Sequence, residues 1–176
     1  MVMPLRAADL LPRPAPSLRL LPAPPLDLDS ERLEGLNRDL ALALQEIETF
    51  ELEVKSSFEG VRAVARDSSE TEEGRQSLED MVEALRDLEG KLASTWAEGQ
   101  ESIERAIMRA RQLGSQETLW TEYASLLDRS ADSIVRLLET LRDLRWELAA
   151  VLTAVDEGDS PVFDDPAALK KYLQSI

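Results

Sequence analysis

The chain has 176 residues, 43% apolar and 31% charged, and a formal net charge of −15 from 20 basic and 35 acidic residues. That composition suits one domain with a buried core. Its sign argues against nucleic acid or an anionic membrane surface as a direct partner, since both are met through Lys and Arg. Cysteine and histidine are absent, which excludes disulfides, thiolate nucleophiles, Cys/His zinc sites and a Ser-His-Asp triad.

Residues 1–28 carry Pro4, Pro12, Pro14, Pro16, Pro22, Pro24 and Pro25. The spacing predicts an extended arm of polyproline II character without internal hydrogen bonds. Within it, Arg19-Leu20-Leu21-Pro22-Ala23-Pro24-Pro25 fits the form R-x-x-P-x-x-P. A stiff proline ridge of this kind enters aromatic grooves, with the arginine meeting an acidic rim. Arg19, Pro22 and Pro25 are therefore candidate partner-binding residues. No secretory h-region is expected here, because Pro4, Arg6 and Asp9 interrupt the apolar residues.

Between Leu26 and Ser160 there is no proline at all. Proline costs roughly 3 kcal/mol inside a helix, so its absence beside heptad-spaced apolar residues predicts long helices. The first is expected over 30–67, capped by Asp29 or Ser30. Its a positions are Leu33, Leu40, Ile47, Val54 and Val61, and its d positions are Leu36, Ala43, Phe50, Ser57 and Val64. Leu44 and Phe58 widen the stripe, as expected of a helix with two neighbours. Glu46, Glu48, Glu51 and Glu53 are spread around its outside as solvated charge.

The polar run Asp67–Gln76, with Gly74, predicts a turn, and Ser69-Glu70-Thr71-Glu72 matches a capping box. The second helix is expected over 70–113. Leu78, Leu85, Leu92, Ala106 and Leu113 form its stripe, which weakens beyond residue 95 where Gly99, Ser102 and Arg109 interrupt it. Gly114-Ser115 reads as a stop followed by an N-cap. The third helix is expected over 116–156, with Trp120, Leu127, Ile134, Leu141, Leu148 and Val155 at a and Tyr123, Ser130, Leu137, Leu144 and Val151 at d. Short loops between helices of similar length imply alternating directions.

Gly158, Ser160 and Pro161 then break the pattern, and Asp165-Pro166 predicts a restart. Leu169, Tyr172, Leu173 and Ile176 share one face of a short terminal helix suited to groove recognition, with Phe163 as a further anchor. The acids Asp156, Glu157, Asp159, Asp164 and Asp165 lack EF-hand spacing, so no metal or other cofactor is expected.

The expectation is an all-α, elongated antiparallel three-helix bundle with coiled-coil-like packing (29–157), between a Pro-rich arm (1–28) and a loop with a short C-terminal helix (158–176). Its expected role is non-enzymatic: an adaptor or assembly protein that binds a protein partner, favourably a basic one, through the helical surface and terminal segments. Two alternatives are a neutralising antitoxin- or immunity-type partner of a basic enzyme, and an amphipathic coat of a lipid or polymer surface. Whether three helices of one chain complete the core or two chains exchange helices is left open. No run reaches the roughly 20 apolar residues of a membrane span, and a cytoplasmic location is expected.

Overall fold

The structure, a computed structural model, describes residues 28–157. It contains three α-helices, α1 (Ser30–Ser69), α2 (Glu72–Leu113) and α3 (Thr118–Glu157), and no strand among the described residues. The observed ends fall within two residues of the expected ones. The expected proline-rich arm, apart from Leu28, and the expected C-terminal helix lie outside the described residues.

Local chemistry sets the helix ends, and in two places it differs from the sequence reading. Asp29 is the cap of α1: its Oδ1 accepts the Arg32 N–H at 2.9 Å. Ser69 does not cap α2. It is the last residue of α1, and its hydroxyl donates to the Arg66 carbonyl at 2.6 Å. Thr71 is the cap instead, with Oγ1 accepting the Gly74 N–H at 3.1 Å. The expected long polar turn thus shrinks to Glu70 and Thr71, and Gly74 belongs to the first turn of α2. Ser115 likewise does not cap α3, because its hydroxyl donates backwards to the Gln112 carbonyl at 2.9 Å.

The described chain divides into two compact units, each drawing on all three helices. One comprises 52–90 with 139–157, and the other 28–51 with 91–138. In the first, Val54, Phe58, Val61, Ala65, Leu78, Met81, Leu85, Leu141, Leu144 and Leu148 are buried. In the second, Leu33, Leu40, Leu44, Ala106, Ile107, Ala110, Trp120, Tyr123, Ala124, Leu126 and Leu127 form one apolar cluster. There Ser30 meets Glu117, Asn37 meets Leu119, and Glu48 meets Arg129. Partner numbers rise together, so α1 and α3 run parallel in this unit, and the short 114–117 connection sends α2 the opposite way.

The burial pattern of α1 corrects the expected seam. Leu33, Leu40, Ile47, Val54 and Val61 are all buried, as expected, but Ala43 is exposed. Of the expected second line, Phe50 is fully buried and Leu36, Ser57 and Val64 are half-buried, while the line four residues after the first, Asn37, Leu44, Glu51, Phe58 and Ala65, is buried throughout. The stripe therefore contains Asn37 and Glu51, which the sequence reading left outside the core. Leucine-rich positions are conspicuous in sequence, whereas a polar residue on a buried line is visible only once neighbouring helices cover it.

Candidate functional site

The partner-binding candidates Arg19, Pro22, Pro25, Phe163, Leu169, Tyr172, Leu173 and Ile176 all lie outside the described residues. Within the described residues, polar side chains gather at contacts between helices.

In the unit of 28–51 and 91–138, Glu48 Oε1 lies 3.7 Å from Arg129 and 3.9 Å from Arg136. Arg136 also lies 3.8 Å from Glu51, whose side chain is only 7% exposed, and donates to the Ser133 hydroxyl at 2.9 Å. Glu51 was expected on the outer face of α1 and is buried instead. Its carboxylate is tolerable there because a guanidinium reaches it along α3; an isolated buried charge would cost several kcal/mol. Arg111 and Asp128 join α2 to α3 at 3.1 Å.

In the unit of 52–90 and 139–157, Glu89 is held between Arg142 at 3.1 Å and Arg145 at 2.9 Å, with 13% of its side chain exposed. Arg62 forks onto Glu147 at 2.7–2.9 Å while its guanidinium lies 5.1 Å from the Phe58 ring centroid. The planar fork and the ring face satisfy the cation together. Along α3, Arg142 and Arg145 alternate with Glu139 and Asp143, a spacing that suits surface support within one helix. Their partners lie on other helices, and nothing in the local spacing marks them.

No group of three or more Asp or Glu among the described residues is placed to hold a metal ion, and no described helix is long and apolar enough to cross a membrane. Large apolar side chains that meet solvent are Leu42, Leu52, Met108 and Val135. Of the tryptophans, Trp120 is buried, while Trp96 and Trp146 are half-buried at the core edge.

Tyr123 belongs to the apolar cluster, 1% exposed, edge-on to Trp120 with ring centroids 5.8 Å apart and planes at 82°. Burial pushes its phenol up from 10.0 to about 12. The proton is held more tightly in the folded chain than in the unfolded one. Its contribution to stability is therefore complete below pH 10 and is lost as pH rises through about 12. Thermal denaturation from pH 9 to 12 should show Tyr123→Phe losing less stability across that window than the parent, by on the order of 2 kcal/mol. Parallel curves for the two proteins would contradict the assignment.

No protein-family model, no curated protein and no solved structure matches this chain.

Proposed function

We propose that this chain is a non-enzymatic binding protein that engages a basic protein partner through its acidic helical surface and its two terminal segments, as an adaptor or assembly factor. The observation that carries the reading is how the positive charge is used. Arg62, Arg111, Arg129, Arg136, Arg142 and Arg145 are each engaged by carboxylates of the same chain on another helix. With those cations neutralised in place and a net charge of −15, the field the helices present outward is acidic. Such a field steers a basic surface into encounter and repels phosphate backbones.

The terminal segments supply apolar and proline-rich contacts of a different kind. Arg19, Pro22 and Pro25 match a polyproline ligand, and Phe163, Leu169, Tyr172, Leu173 and Ile176 match an anchor set for a groove. A charged body gives association rate, and apolar anchors give residence time.

The test is cross-linking and mass spectrometry on cells carrying the tagged full chain, followed by reconstitution with the purified partner. A basic protein in fixed ratio, bound more weakly as salt rises and released faster when 1–28 or 158–176 is deleted, supports the proposal. Binding indifferent to salt and to both deletions overturns it. A partner whose enzymatic toxicity is suppressed by the chain would place it in the neutralising class.

A further inference from the structure

We infer that Asn37 is a register lock: a polar residue retained inside the apolar cluster so that α1 can pair with α3 in only one alignment. Asn37 is 4% exposed and shares a buried line with Leu44, one turn from both Leu33 and Leu40. Its Nδ2 donates to the Leu119 carbonyl in the first turn of α3 at 3.1 Å. Its Oδ1 is buried and has no hydrogen-bond partner among the described residues. A leucine there would match its neighbours and leave nothing unpaired. Asparagine at this place therefore costs stability, and the return is specificity, the best-attested use of a buried polar residue in a helical core.

The alternatives it excludes can be named. Apolar stripes of heptad spacing pair almost as well after a shift of seven residues, since leucine meets leucine again. Within the unit of 28–51 and 91–138, the ion pairs of Glu48 discriminate poorly against such a shift. Glu48 faces both Arg129 and Arg136, which are one heptad apart, so a slip in either direction keeps one of them in reach. Asn37 does discriminate. Moved one heptad towards the end of α3, it would come level with Leu126, whose carbonyl already accepts the Ser130 hydroxyl at 2.7 Å. Moved the other way, it would pass beyond Thr118, where α3 begins. In either slipped alignment the buried amide has lost its acceptor. Ser30 and Glu117, which meet at 2.6 Å, are exposed, and water substitutes for each of them at little cost.

The experiment is Asn37→Leu in the full chain, read by thermal midpoint, by amide peak count in a two-dimensional 15N spectrum, and by mass in solution. The expected result is a midpoint higher by about 2–4 °C together with extra amide peaks from 28–51 and 118–138, or a new dimer fraction from exchanged helices. A single set of peaks at the parent's mass would overturn the lock, whatever the midpoint. A lower midpoint would overturn it too, because the Leu119 hydrogen bond would then be stabilising outright and specificity would not be needed to explain the residue.

Discussion

Phe50→Ala lowers the stability of this protein by about 3–5 kcal/mol, the range expected for removing a large buried ring. Phe50 has no exposed surface at all, while two residues further along α1 Leu52 is 67% exposed. The ring loses its transfer free energy and also leaves a void, because α1 is braced on both sides by buried residues and cannot collapse to fill it. Leu52→Ala removes a side chain already in water, so its effect should stay within about 0.5 kcal/mol. Since whole domains are stable by only about 5–15 kcal/mol, the first change takes a large share of the total and should move the thermal midpoint down by roughly 10 °C or more. Calorimetry on the two variants side by side gives the answer, and equal midpoints would mean that Phe50 is not where the core is.

The second large effect is one of sign. Gly60, Gly74 and Gly90 all lie inside helices, where alanine is normally favoured by about 1 kcal/mol. At Gly60 and Gly90 an added methyl meets nothing within 4 Å, so both substitutions to alanine should stabilise by about that amount. At Gly74 the methyl would meet the Ser68 carbonyl carbon at 2.7 Å and Thr71 Oγ1 at 2.8 Å, with the Ser68 oxygen closer still. These belong to the last turn of α1 and to the cap of α2, and a backbone carbonyl held there cannot swing aside as a flexible side chain does. Thr71 Oγ1 is also the cap of α2, so displacing it removes a second interaction worth about 1 kcal/mol. Overpacking of this sort costs about 1–3 kcal/mol. Gly74→Ala should therefore destabilise while its two counterparts stabilise, and chemical denaturation of the three single variants resolves them. A stabilised Gly74→Ala would show that the connection opens without resistance.

Much of the helical layout was legible in the chain. Lack of proline, heptad spacing and the polar gaps near residues 70 and 115 fixed three helices to within two residues at each end. Leu33, Leu85 and Leu141 are buried as their spacing required. The caps were read less well. Ser69 and Thr71 both carry a side-chain oxygen that can accept from the first N–H groups of a helix, and only the path of the backbone chooses between them. On α1 the spacing points Ala43 inward and Glu51 outward, and both go the other way. Hydrophobic spacing records which residues prefer burial, and a glutamate that is buried against an arginine of α3 leaves no trace in that record. The residues singled out for partner contact lie in the terminal segments, outside the described residues.

What the amino-acid sequence determined alone is the set of local outcomes: where helices run, roughly where they stop, that acid outweighs base, and which side-chain chemistries are missing. Each follows from backbone propensity or from counting, and neither depends on neighbours distant in the chain. Only tertiary structure decided that Asn37 and Glu51 go inside, that Glu89 is held by two arginines from α3, and that Gly74 has no room for a methyl. Those results depend on what another helix brings alongside, and a residue's own preference for water or oil is overridden whenever that neighbour supplies a hydrogen bond or an opposite charge.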